Sequence, residues 1–283
     1  MSWLTLSLTA LFTYVAYDIV GRYCATRAKD PRAFAFIFNG LATLFAPLIF
    51  LVDKTMPQAL SWQTIALTVI GLSLWGLNAR FEYFAKKHTE ISTFTIITKI
   101  APVGTFFLAV IFLREPLTLS KISGIALMLI ANYLLFVGHH WRDVISKDGL
   151  KYSMLISGVV ALAWFFDAVN IKNWGVGTFS LLSFSAGSLI CALFPTLKWQ
   201  AIKVELQRTP VWQIAVLALL NLAAYALQLK ALSLGPASNV MPIVTSTSPF
   251  VVFLGLMFLG ENDFLARKFI AAAIAVFGIY LMR

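Results

Sequence analysis

The chain has 283 residues, 60% of them hydrophobic and only 12% charged, with a formal net charge of +10. Soluble globular domains carry about a quarter of their residues as charged side chains, so this composition excludes one and indicates an integral membrane protein. The basic residues stand singly or in small groups between apolar runs rather than in one stripe, which argues against a nucleic-acid partner and for loops anchored on an anionic lipid bilayer.

Apolar runs of about 17–23 residues are long enough to cross roughly 30 Å of hydrocarbon. In chain order they predict ten spans, namely Trp3–Gly21, Ala33–Val52, Trp62–Phe81, Ile91–Leu113, Leu119–Val137, Tyr152–Ile171, Val176–Phe194, Val211–Leu232, Ala237–Leu259 and Ala266–Met282. The fold class is therefore all-α. Pro31, Pro57, Pro116, Pro195, Pro210 and Pro236 fall between or at the ends of spans, where a missing N–H costs nothing. The first run lacks a basic flank and Leu4–Val20 is too long and aromatic for a cleavable signal, so it reads as a retained span. Cys24 and Cys191, near predicted helix ends, show neither metal-site nor disulfide-framework spacing and read as structural.

The longest polar segment, His139–Lys151, divides five spans from five. The two sides repeat each other. Thr98-Lys99-Ile100-Ala101-Pro102 running on to Leu113-Arg114-Glu115 is echoed by Thr245-Ser246-Thr247-Ser248-Pro249 running on to Leu259-Gly260-Glu261. This sets a first five-helix repeat over 1–138, a connecting loop over 139–151 and a second repeat over 152–283. An odd number of spans per repeat inverts the second copy in the membrane, and binding sites form where such repeats meet. Fifteen of the 22 Lys and Arg residues fall in loops after odd-numbered spans. The positive-inside rule then places both termini outside the cytoplasm, in a multi-pass protein of the bacterial inner membrane.

Several residues are candidates for the site. Lys99 is a lysine near mid-span, where insertion costs about 2.5–3.5 kcal/mol, and it predicts an ammonium facing a cavity. Pro102 and Pro249 each free a carbonyl about one turn back and predict kinks. Beside them Thr95 and Thr98, and Thr245, Ser246 and Ser248, offer hydroxyls to the backbone or to a solute. Asp18 shares a helix face with Tyr14, and Asp167 with Trp164; both acids are candidates for solute or proton binding, with an interfacial ion pair as the bland alternative. Asn221, Tyr225 and Gln228 make a polar stripe in the eighth span, matched by Trp75, Asn78 and Glu82 in the third, and such stripes face the protein interior. The small-residue series Ala271, Ala275 and Gly278 predicts close helix packing, within the chain or across a homodimer.

The helix with an internal proline that ends in an acidic residue (Pro102 to Glu115, Pro249 to Glu261) carries a resemblance. The following helix from Lys121-Ile122-Ser123-Gly124-Ile125-Ala126 and the approach Ala231-Leu232-Ser233-Leu234-Gly235-Pro236-Ala237-Ser238 extend it. With these the chain resembles the EamA-type proteins of the drug/metabolite transporter superfamily. The resemblance implies a central cavity lined by the first four helices of each repeat, peripheral fifth and tenth helices, and alternating access by rocking of the halves. Proteins of this type usually keep both termini in the cytoplasm, which the charge count here opposes.

These features predict a secondary transporter of a small polar metabolite bearing a carboxylate or phosphate, with Lys99 as the anion contact. The rivals are a cation or drug exporter that uses Asp18 or Asp167, and a flippase for lipid-linked substrates. Neither a nucleotide-binding signature nor a metal-ligand or catalytic cluster is present, so no cofactor and no enzyme activity is expected. Transport would run on exchange or an ion gradient.

Overall fold

A computed structural model describes residues 1–25, 29–58, 60–88, 97–136, 147–193, 196–251 and 265–282. They form eleven helices, α1 Trp3–Ala25, α2 Pro31–Phe45, α3 Trp62–His88, α4 Ile100–Phe112, α5 Leu119–Phe136, α6 Lys147–Trp174, α7 Val176–Leu193, α8 Trp199–Arg208, α9 Val211–Leu234, α10 Ala237–Thr245 and α11 Leu265–Leu281. A 3-10 turn, Ala46–Leu51, prolongs α2. Six of the described helical segments are long and apolar enough to cross a bilayer, and α4, α5 and α11 supply shorter apolar segments.

Local chemistry sets several of these boundaries. α2 starts where Asp30 caps it, its carboxylate accepting the N–H of Arg32 at 3.0 Å and of Ala33 at 3.2 Å, with Pro31 at the first helical position. That arrangement satisfies two orphan donors and uses a residue that has no N–H to lose. Pro47 removes a donor from the far end of the same span, and the chain tightens there into the 3-10 turn. α6 and α7 are joined by Gly175 alone, in left-handed backbone at φ 73. A side chain there would meet the backbone carbonyl of Thr55 at 2.5 Å, so glycine is required both for conformation and for space.

The packing has the pattern of an inverted repeat. The third helix of each half packs on the first helix of the other (α3 on α6, α9 on α1), and the fourth does likewise (α4 on α6, α10 on α1). Helices at equivalent positions meet their counterparts directly in the pairs α2 with α7, α4 with α10 and α5 with α11. In lipid the closeness of such contacts depends on small residues. α5 and α11 cross at Gly124 and Gly278, where a Cβ on either would lie 2.8–2.9 Å from the other's carbonyl oxygen. Gly278, with the buried Ala271 and Ala275, thus contributes to a seam inside the chain.

Three elements differ from the sequence reading. The fourth span is not one uninterrupted helix, because Lys99 stands in a turn just before α4. The ninth breaks in the same way at Ser246, after α10 and before a helical stretch at 247–251. Each break lies three residues before its proline. The basic segment between the seventh and eighth spans is no plain loop but contains α8, which buries Ile202 and Glu205 and exposes Trp199, Lys203 and Val204.

Candidate functional site

Where α1, α3, α6, α7 and α9 converge, the chain buries polar groups among aromatic rings. Asp167 on α6 is fully buried, and its Oδ1 accepts the indole N–H of Trp75 on α3 at 2.9 Å. Its Oδ2 is buried and has no hydrogen-bond partner among the described residues. Tyr225 on α9 stands edge-to-face with Trp75, ring centroids 5.8 Å apart, and with Phe184 at 5.6 Å. Its hydroxyl shares a 3.1 Å hydrogen bond with Ser183 on α7. One turn further along α9, Gln228 takes the Tyr14 hydroxyl on its Oε1 at 3.1 Å and leaves its own Nε2 buried without a partner among the described residues. The Tyr225 phenol is within hydrogen-bonding reach of the Asp167 carboxylate, though without the geometry of a well-formed bond to Oδ2, and the Tyr14 phenol is close enough to feel its charge.

A side chain of this network extends along α6. Thr68 on α3 donates to Asn170 Oδ1 at 3.0 Å and accepts the Trp174 indole N–H at 2.7 Å, while Asn170 Nδ2 is buried and unpartnered among the described residues. Among the described residues Asp167 Oδ2, Gln228 Nε2 and Asn170 Nδ2 are therefore an acceptor and two donors without a well-formed hydrogen bond at one junction between the halves. Buried polar groups are ordinarily satisfied, and unsatisfied ones cost about 1–3 kcal/mol each.

The second cluster lies where the two broken helices cross. Pro249 has no N–H, so the carbonyl of Thr245, four residues earlier, loses its helical donor. Lys99 supplies a replacement, its Nζ donating to that oxygen at 2.7 Å. A cation at the C-terminal end of a half-helix is also favoured by the helix dipole. The expected anion contact is thus engaged by backbone here. Thr245 and Ser246 turn their hydroxyls onto their own helix, to Met241 and to Pro242 respectively, both at 2.8 Å. Lys99, Pro102, Asn132, Thr245 and Ser246 border a cavity of about 20 Å³, the size of one water.

The structure brings Tyr14, Trp75, Asp167, Tyr225 and Gln228 into the first cluster, and Lys99, Pro102, Thr245 and Ser246 into the second. Asp18 lies within electrostatic range of Tyr14, Tyr17 and Lys99. Thr98 immediately precedes the break at Lys99, and Pro249 sits in the helical stretch after the break at Ser246. Trp164 packs against the main apolar core, Asn78 leaves a buried Oδ1 unpartnered among the described residues, and Asn221 is half-buried. Thr95 lies outside the described residues. Sequence reasoning missed Ser183, Thr68, Asn170 and Trp174. Thr68 and Asn170 were visible as lone polar residues inside apolar spans.

Two halves packed as inverted partners around a buried, incompletely satisfied polar junction define a membrane transporter. The profile of the EamA-like transporter family matches residues 1–137 and 149–283, and the chain belongs to that family. A protein of Archaeoglobus fulgidus described as an uncharacterized transporter is 30% identical over 124 residues, which is 44% of this chain and 43% of that relative's length. A solved crystal structure is similar in fold, with a TM-score of 0.74 at 13% identity over 99% of this chain and 97% of that one.

Proposed function

We propose that the chain is a secondary transporter of a small organic cation, bound at Asp167 and exchanged for protons by alternating access of the two halves. One observation carries this reading, the buried Oδ2 of Asp167 with no partner among the described residues. An ionised carboxylate only accepts hydrogen bonds, so what completes it must bring a donor and, in so dry a setting, a positive charge. An ammonium or a proton does both, and competition between them for one oxygen couples their movement. Trp75, Tyr225 and Tyr14 add aromatic surface, on which organic cations bind favourably. Fifteen basic residues on one side support an orientation with both termini outside the cytoplasm.

The anion reading keeps Lys99 as its contact. It ranks second because that ammonium already has an acceptor in Thr245, whereas Asp167 Oδ2 has no well-formed hydrogen bond among the described residues and only the Tyr225 phenol, itself bonded to Ser183, within reach of its carboxylate. Proteoliposome uptake of a panel of organic ammonium ions, amino acids and phosphorylated metabolites separates the two. Cation uptake that Asp167→Asn abolishes is the expected result. Anion uptake that Lys99→Met abolishes and Asp167→Asn spares would replace it.

A further inference from the structure

The face at which α1 begins and α11 ends is closed by contacts that the transport site does not use. α4 stops at Leu113, whose N–H bonds the Ala109 carbonyl at 3.0 Å, and Arg114 turns into left-handed backbone at φ 55. The turn sends the side chain of Glu115 across to the second half. There Oε1 accepts the N–H of Ala237 at 2.7 Å and Oε2 the N–H of Ser238 at 2.9 Å. Both donors belong to the first turn of α10, where no helical acceptor exists, and the carboxylate meets the positive end of that helix.

The contact is continuous with others between the halves. Lys121, buried at the start of α5, donates its Nζ to Ser238 Oγ at 2.9 Å, and Ser238 Oγ in turn donates to Asn239 Oδ1 at 3.2 Å. Asn239 Nδ2 donates to the carbonyl of Met282 at the end of α11. The fourth and fifth helices of one half are thus joined to those of the other at a single level, next to the membrane surface. Ala237 and Ser238 are almost completely buried there, at 2% and 0% exposure.

We propose that Glu115 is the latch of a gate on this face, and that its carboxylate leaves Ala237 and Ser238 whenever the solute passes between the halves on this side. Alternating access needs a closure that is firm and reversible. A carboxylate on two backbone N–H groups meets both needs, because water can replace either partner when they separate. The opposite face has a carboxylate bridge of its own, in which Glu205 on α8 accepts the N–H groups of Lys29 and Asp30 at 3.0 Å each. The proposal holds for any transported solute, since it concerns only which contacts must part.

The test is labelling by a bulky, membrane-impermeant maleimide in nanodiscs, with Ala237→Cys as the reporter and the buried Val244→Cys as its control. Cys24 and Cys191, both fully buried, remain as constant background. Glu115→Gln should raise labelling of the Ala237→Cys reporter at least tenfold and leave the Val244→Cys control unchanged, and Glu205→Gln should not raise it. Equal labelling with and without Glu115→Gln, or a joint rise at both reporters, would overturn the proposal, since a mere structural cap gives one of those. Hydrogen exchange of the unmodified protein supplies a second measurement that needs no folded variant. The N–H groups of Ala237 and Ser238 should exchange at least tenfold faster than that of Val244, and equal protection would count against a gate.

Discussion

The ammonium of Lys99 ends on the carbonyl oxygen of Thr245, 2.7 Å away, and Thr245 is the residue whose carbonyl Pro249 deprives of its helical donor. A proline in one half and a lysine in the other therefore answer each other across the pseudo-symmetry axis. The two halves differ at this point, because the residue equivalent to Lys99 is Ser246, whose hydroxyl bonds its own helix at Pro242. Lys99→Met keeps much of the bulk and removes the donor. It should lower stability by about 1–3 kcal/mol, the cost of an unsatisfied buried carbonyl. A thermal unfolding scan in detergent checks this, and an unchanged midpoint would mean that water takes over the carbonyl at no cost.

The bond from Trp75 to Asp167 should be energetically coupled, because its acceptor is a carboxylate and its surroundings are dry. Hydrogen bonds to charged groups contribute about 1.5–3 kcal/mol net. Trp75→Phe, Asp167→Asn and the double variant form a cycle from which the shared part can be isolated. A coupling of at least about 1 kcal/mol is expected from their unfolding free energies. Additive effects would show that the indole and the carboxylate act independently.

The spans were legible because lipid demands long apolar runs, and the repeat was legible because the sequence of each half carries a proline-containing apolar run followed by Glu. Five of the candidate residues meet in one network for the same reason, since a polar residue inside an apolar span has to face protein. The helix breaks at Lys99 and Ser246 were only half visible. The prolines predicted kinks, but a turn three residues before each depends on what replaces the lost backbone donor, and at Thr245 that donor comes from the other half. The partner of Lys99 was hidden for the same reason, because a backbone carbonyl has no signature in sequence. α8 was overlooked because its apolar face is only ten residues long and its basic residues resemble a loop.

Asp53, in the segment between the 3-10 turn and α3, should give one of the extramembrane seams a defined pH dependence. Burial alone would raise its carboxyl. The ammonium of Lys230 at 2.8 Å, with the hydroxyl and amide of Thr55 at 2.6 and 3.0 Å, outweighs burial and holds the carboxyl below the usual range. A carboxyl depressed by folding stabilises at pH values above its unfolded value of about 4, and that contribution is lost as pH falls through the folded value. Stability from this seam should thus be constant between pH 7 and 5 and decline below about pH 4. Lys230 is a third exposed, so about 0.5–1 kcal/mol is involved. Unfolding midpoints of the parent and Asp53→Asn should converge at low pH, and a constant offset down to pH 3 would contradict the assignment.

Arg114 is the one described residue other than glycine with a positive φ, and it sits in the turn that delivers Glu115 to α10. Left-handed backbone costs a non-glycine residue about 1–2 kcal/mol, and the matching position in the second half of the sequence is Gly260. Glycine relieves that strain but brings about 0.5–1 kcal/mol of extra chain entropy in the unfolded state. The balance favours Arg114→Gly by about 0.5–1 kcal/mol, since φ 55 suits glycine as it stands. The unfolding midpoint should rise by roughly 1–4 °C for a chain of this size. Because the relief is confined to the latched form of the turn, the same substitution should slow labelling of the Ala237→Cys reporter. A higher midpoint without slower labelling would separate the strain at Arg114 from the motion of Glu115, and a lower midpoint would mean that the arginine side chain contributes more than its backbone costs.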